Sequence, residues 1–587
     1  SKKHNLIFAS AECCLVAIEA DTGKEKWRIS LSGPVAKRGL TFQQDLLFVP
    51  TGDGVLAIDA KEGYIRTDVG NQGIISPNMT PLPPVVDGDT VYVANFDGVV
   101  QAFDLKTGEL LRSTSLTTNG ITPRLWSGFS YDAKNKLLYV TTSNTGPLLN
   151  YEDTKDYASS VVSIDATNGE IAWQFQEIEN EQWDLDMVGA PMLADLKVGE
   201  ETIPALVAVS KTGAVMYLNR LSGESIFGFS YRDAPVSDIE GVFTSERQKY
   251  FSKPENFAEM EFDLENDITD FTSERANFIT TKLRHAVSEW YLPTLFKKDT
   301  LLFGLNGGAE WPGAALDIIN NILIVPSNRI PFVLRTAAYD KNPEFTEELA
   351  LQNDTYQNKC TTCHSSDLSG KVFAEGFNSY VPSLISITEQ RTKHELTSLE
   401  SFRVAHSVIN NVPDRDKVLG DVYEADLQLL YDFFTKIDAS VEERNDRGYK
   451  SVWQTVRDQT GVFGSKPPWG YVAAIDLASG ELLWKSNVGE VTDPQTGKVF
   501  QGDIQFGGPL VTKGGLAFVT GSSDSKIRAL DIKNGSVVWE ANLPASGTAP
   551  PITFEMNECQ HVVVMATGGS RYGNLSDQIV AYKLPEC

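Results

Sequence analysis

SIDATNGEIAW, residues 163–173, decides the fold. An alternating apolar strand runs to Asp165, a short turn closes on Gly169, and a second strand ends on Trp173. Period-two alternation on both sides of an Asp-x-x-x-Gly turn is a β-hairpin. The pattern recurs upstream as AIEADTGKEKW (17–27), AIDAKEGYIR (57–66) and AFDLKTGELLR (102–112). Downstream it returns as YLNRLSGESIF (217–227), AIDLASGELLW (474–484) and ALDIKNGSVVW (529–539). A repeated strand–turn–strand unit that keeps its turn sequence predicts blades stacked around an axis, an all-β propeller. A β-sandwich also carries hairpins, but not one turn sequence over and over.

The long interval between 227 and 474 leaves room for further blades and an insertion. Residues 228–290 (FTSERQKYFSKPENF within them) are charged and aromatic with little repeat character, which predicts long loops or short helices on one face. Residues 345–450 change character: EFTEELALQNDTYQNKCTTCH and EADLQLLYDFFTKI have helical apolar spacing. The chain therefore divides into a first propeller part (1–344), an inserted small α-helical domain (345–450) and closing blades (451–587).

Inside the insertion stands Cys360-Thr-Thr-Cys363-His364. Two thiols at this spacing form thioethers to haem vinyl groups, and the adjacent histidine supplies the proximal iron ligand. Half of a zinc site is the alternative, but zinc needs a second ligand pair and no other cysteine lies in the insertion. With the later VPSL, a step frequent in small cytochromes c, the insertion reads as a cytochrome c domain with one haem c. The insertion holds no methionine, and Val412 precedes Pro413 where a Met-Pro step would supply the sixth ligand. His406, on the apolar-periodic stretch SFRVAHSVINN, is the expected sixth ligand; His394 lies in a polar run. A core histidine at 406 bonded to a carbonyl is one other reading, and an open or water-filled iron site a further one.

The net charge of −27 argues against nucleic acid as a partner and suits a solvated acidic surface or attraction of basic electron carriers. No run of eighteen apolar residues crosses a membrane. SKKHNLIFAS lacks the apolar core of a signal peptide, as expected of numbering that starts after processing. Haem attachment outside the cytoplasm, together with Cys13, Cys14, Cys559 and Cys587 for disulfides, points to a periplasmic protein, soluble or peripherally attached to the membrane.

YASSVVSIDATNGEIAWQFQ (157–176), WDLDMVGAPMLADL (183–196) and GTAPPITFEMNECQHVVVMATGG near the end resemble the pyrroloquinoline quinone (PQQ) dehydrogenases, particularly the glucose, polyol and quinate branch. The resemblance covers almost the whole chain outside 345–450. With the haem motif it implies a quinohaemoprotein dehydrogenase on a propeller of eight blades of the tryptophan-docking type. The implied reaction is oxidation of an alcohol, polyol or sugar hydroxyl. Electrons would then leave through the haem to an external acceptor, a cytochrome or ubiquinone.

Residue by residue, the resemblance implies that Trp126 lies beneath the PQQ ring and that Asn144 ligates the cofactor-bound metal. Asp184 is the implied base, Asp186 an added metal carboxylate, Lys211 the cation at the quinone oxygens, and Arg38 the partner of a PQQ carboxylate. Thr80, Lys298, Glu310, Trp311 and Trp469 match cofactor-lining positions, and Glu274 or Asp270 is the second choice for the base. Ca2+ or Mg2+ is the expected metal, with a lanthanide as the alternative because Asp184 and Asp186 can share one cation. A planar tricarboxylate with a hard metal independently asks for an aromatic shelf, cations and oxygen ligands.

Some family features are altered. The glutamate expected near the metal has no clear counterpart, Asn95 and Asp97 being nearest, and the usual His-Asp before the WDxD motif is Glu181-Gln182. The family's Glu-x-Thr-Pro stretch ahead of the first hairpin would come from an N-terminal segment or another subunit. Two other functions remain open: a scaffold propeller without a quinone, and a haem-bearing electron-transfer propeller with an incomplete quinone site.

Overall fold

The structure is a computed structural model. It describes all residues except 1–3, 12–13, 32, 146–148, 150–156, 297, 362–363, 365–367, 369–370, 373–379, 382–423, 444–446, 570–573 and 586–587.

Five of the seven repeats fold as full hairpins, while at 57–66 and 217–227 the turn closes on a single bridge, Ile58↔Ile65 and Leu218↔Ser225. Asp165 Oδ1 accepts from the backbone N–H of Thr167 at 2.7 Å, and Asp104 Oδ1 does the same for Lys106 and Thr107 at 2.9 and 2.8 Å. The glycine four residues on donates back to the aspartate carbonyl, Gly169 to Asp165 at 2.7 Å, from left-handed backbone (φ +83°) that an L side chain avoids. The strands on either side then pair. Phe129–Asp132, Leu137–Thr141, Ser160–Asp165 and Ile171–Gln176 make one four-stranded antiparallel sheet. Such sheets follow one another from Leu6–Ala11 to Leu575–Lys583.

The closing tryptophans join each sheet to the next. Trp173 Nε1 donates to Arg220 O at 3.1 Å, and a Cβ on Gly223 would lie 2.7 Å from its ring. Trp27 docks likewise on Ala60 O and Gly63, and Trp484 on Ile532 O and Gly535. In all three the carbonyl and the glycine belong to the next hairpin's turn. The core lies between the sheets, where strands such as Leu46–Thr51 are buried at every position.

Residues 228–290 hold a strand pair where loops or short helices are expected. Ser230–Asp233 pairs with Arg247–Tyr250, and one helix follows at Ser273–Lys282. Pro331–Asp340 pairs with Arg447–Thr455 from Phe332↔Thr455 to Asp340↔Arg447. The helices Pro343–Leu351, Asp354–Lys359 and Glu424–Glu443 are thus set between two partnered strands. Ala338 belongs to a buried cluster with Ala350, Tyr356, Leu430, Phe434 and Ile437, and Tyr449 packs against that cluster, so the helical segment rests on the strand pair.

A candidate cofactor and metal site at the strand ends

Asn144 follows the strand Leu137–Thr141, Asp184 and Asp186 precede Met187–Val198, and Lys211 opens the turn after Glu201–Ser210. Chain reversals thus bring four polar side chains from three segments to one place. The amide Nδ2 of Asn144 donates to Asp184 Oδ1, and its backbone N–H to Asp186 Oδ1 at 2.9 Å. Lys211 Nζ lies 2.7 Å from Asp186 Oδ2, 3.6 Å from Asp184 Oδ2 and 2.9 Å from Asp184 O. The Trp126 ring forms the floor, with Arg38 Cζ 4.5 Å and Lys211 Nζ 5.9 Å from its centroid. Arg38 also lies 5.9 Å from the Trp311 ring, which stacks on Phe506 at 5.0 Å. Gly308 lets the strand before Glu310 and Trp311 meet the Lys211 turn, since a Cβ there would sit 2.1 Å from Lys211 O.

Asp184 holds left-handed backbone (φ +63°), unusual for a residue with a side chain. Glu181 supports that turn: its Oε1 accepts the backbone N–H groups of Trp183 at 2.7 Å and Leu185 at 2.9 Å. The sequence shows Glu181 only as a departure from the family pattern; its place three residues before Asp184 is the signal for a cap.

Burial pushes the Asp184 carboxyl up to about 7, with Lys211 opposing and the Asp186 charge adding. Burial and the Asp186 charge push Glu181 up to about 8. Burial works against the Lys211 ammonium, but Asp184 and Asp186 outweigh it and hold the group above its ordinary range. Arg38 is lowered to about 10 by burial, against the charges of Glu310 and Asp186.

Other expected residues fall elsewhere. Lys298 is exposed just before the strand Asp299–Phe303, away from the Asp184 group, where the cation is Lys211. Asp270 is exposed, 3.9 Å from Lys466 Nζ, and Glu274 is exposed in the first turn of its helix. Of the three carboxylates considered for the base, Asp184 stands with Lys211 and Asn144. Thr80 is buried, its hydroxyl donating to Ala94 O on the strand Thr90–Asn95 and accepting from Leu82 N in its own turn. Trp469 donates to Ser465 O at 3.0 Å and shares an apolar cluster with Trp183 and Leu185, which flank Asp184. Asn95 Oδ1 accepts from Val99 N at 3.1 Å.

At the haem motif, Cys360 N donates to Tyr356 O and His364 N to Cys360 O, at 2.9 and 2.8 Å, and His364 is buried. Cys363 and His406 lie outside the described residues, as do Cys13 and Cys587.

The donor set fits the implied groups. Two carboxylates offer hard oxygen to a Ca2+-like ion, and the Asn144 amide would add its oxygen once turned from the donor face it shows Asp184. An indole floor with Arg38 and Lys211 on it suits a planar polyanion.

The chain is similar to known proteins over most of its length. Residues 2–373 and 411–562 match the family model described as glucose/ethanol/alcohol dehydrogenase, β-propeller domain, of PQQ proteins. The chain is 26% identical to quinoprotein glucose dehydrogenase A of Acinetobacter calcoaceticus, over 99% of this chain and 72% of that protein. It is 26% identical to the glycerol dehydrogenase large subunit of Gluconobacter oxydans (strain 621H), over 99% of this chain and 77% of that one. Among solved structures it resembles the quinohemoprotein alcohol dehydrogenase from Comamonas testosteroni, with TM-score 0.58, 16% identity, and coverage of 98% and 72% of the two chains. It also resembles a europium-containing methanol dehydrogenase, with TM-score 0.56, 17% identity, and coverage of 96% and 81%. The chain belongs to the PQQ-dependent glucose/ethanol/alcohol dehydrogenase family of β-propellers.

Proposed function

We propose that the protein oxidises a hydroxyl of a sugar, polyol or other alcohol, on an eight-bladed propeller in the periplasm. The observation that carries this is the Asn144–Asp184–Asp186–Lys211 group set against the Trp126 ring. Trp126 would carry the cofactor face, Arg38 would meet a carboxylate, and Asn144 with Asp186 and Asp184 would hold a divalent or trivalent cation. PQQ, when bound, supplies the acceptor for a hydride from the carbinol carbon.

The chain's own part is the proton. Asp184 takes it from the substrate hydroxyl at its carboxylate oxygen, and Lys211, 3.6 Å away, favours the charged base beforehand. Trp183, Leu185 and Trp469 exclude water from one side. The inserted domain, with haem thioether-linked to Cys360 and Cys363 and ligated by His364 and His406, would supply one-electron transfer to an external cytochrome or quinone. The CTTCH motif supports that part of the reading.

The test is an absorption spectrum of purified protein before and after PQQ and Ca2+ are added. Sharp haem bands in the reduced protein, and alcohol-dependent haem reduction only after loading, are expected. Absence of haem bands would remove the cytochrome reading; reduction without PQQ would remove the quinone reading.

A further inference from the structure

The turn that carries Lys211 is held from behind by one buried carboxylate. Ser210 Oγ donates to Glu177 Oε1 at 2.8 Å, and Thr212 Oγ1 donates to the same oxygen at 2.5 Å. These two residues flank Lys211, and their hydroxyls lie 2.8 Å apart. Glu177 is 1% exposed, and its Oε2 has no hydrogen-bond partner among the described residues. Its backbone N–H is fixed on Ser159 O at 2.8 Å, and Tyr291 is buried beside Thr212. On the other side, Lys211 N donates to Asp186 O at 3.1 Å.

Glu177 Oε1 carries two lone pairs, so this one atom accepts both hydroxyls and fixes both residues flanking Lys211 whether the carboxyl is ionised or not. Their fixing matters because the lysine stem is flexible, so the ammonium is placed by its backbone and the residues flanking it.

We propose that Glu177 is the positioning residue for Lys211, setting its ammonium between Asp184 and Asp186 and over the Trp126 ring. Glu177 acts through Lys211 and touches neither substrate nor cofactor. The proposal rests on the reading of Lys211 as the cation that meets the cofactor.

The test uses the full chain freed of metal and cofactor, titrated with PQQ in Ca2+ and followed by quenching of tryptophan fluorescence as well as turnover. Glu177→Leu is expected to weaken PQQ binding and lower kcat, each by about tenfold, as loss of a buried hydrogen-bond acceptor does. Glu177→Gln keeps an acceptor oxygen and recovers most of the loss. In a Lys211→Ala background, Glu177→Leu adds nothing further, since both act through one side chain. Thr212→Val and Ser210→Ala, which remove the donors one at a time, carry the same test if Glu177→Leu does not fold. Full additivity with Lys211→Ala, or wild-type binding and kcat in folded Glu177→Leu, overturns this proposal alone. Wild-type PQQ binding by Lys211→Ala overturns the reading of Lys211 itself.

Discussion

Asp184 combines strained backbone, a raised carboxyl and contact with both an amide and an ammonium. Asp184→Asn keeps its shape but cannot take a proton. Turnover with alcohol is expected to fall by at least about a hundredfold, as loss of a general base does. The circular dichroism spectrum should stay unchanged; near-normal turnover would move the role elsewhere. The same residue shapes stability. Asp184 and Glu177 are raised to about 7, Glu181 to about 8 and Asp503 to about 6, in each case first by burial. Such groups bind protons more tightly folded than unfolded, where they titrate near pH ~4. Their contribution is full below that value and is lost as pH rises through the folded ones. Asp493, held low at about 2 beside Arg275, changes its contribution only below that window. The metal-free protein should therefore melt at lower temperature at about pH 8 than at about pH 5. Ca2+ should restore part of the loss because a cation favours charged Asp184. A flat melting profile across that range would show that these carboxyls titrate as they do in the unfolded chain.

At the level of elements, sequence reading succeeds where local chemistry sets structure. The Asp-x-x-x-Gly turns make their own capping bonds, so these reversals are legible without a partner, five of the seven as full hairpins and two as single bridges. It fails where pairing is long-range: nothing local tells Pro331–Asp340 that its partner is Arg447–Thr455, across the helical insertion. The site divides the same way. Trp126, Asn144, Asp184, Asp186 and Lys211 carry motif words and Glu181 a local capping signal, whereas Glu177 acts only through contacts made on folding. Lys298, which the resemblance implies at the cofactor, is exposed just before the strand Asp299–Phe303. The helix Ser273–Lys282 shows how such distant pieces are tied. Arg275, fully buried, donates to Asp458 through Nε and to Asp493 through Nη1, and lies over the Phe271 ring at 4.5 Å. The other oxygen of each carboxylate caps a turn, Asp458 for Thr460 at 2.8 Å and Asp493 for Thr496 at 2.7 Å. Arg275→Met strands two buried charges and should lower unfolding stability by about 3–5 kcal/mol. Chemical denaturation reads this out, and a loss under about 1 kcal/mol would mean the triad is solvated and weak.

For the whole molecule, the docking of Trp27, Trp173 and Trp484 on their neighbours' turns explains how repeats of one local design become one body. That body carries a net charge of −27, with 78 acidic against 51 basic side chains, and this bears on how electrons leave it. A field of one sign steers oppositely charged partners at long range and repels like ones. Salt screens that field with a Debye length of about 10 Å at 0.1 M. The consequence depends on the acceptor. With a basic cytochrome, the second-order rate of acceptor reduction should fall steeply as NaCl rises from about 0.01 to 0.3 M, because steering is lost. With a neutral quinone analogue the rate should stay nearly flat over the same range, since no charge is steered. An acidic cytochrome should speed up with salt. Stopped-flow reduction of the three acceptors by substrate-loaded protein distinguishes these cases. Equal salt dependence for the basic and neutral acceptors would show that the exit for electrons lies away from the acidic field, or that a step inside the chain limits the rate.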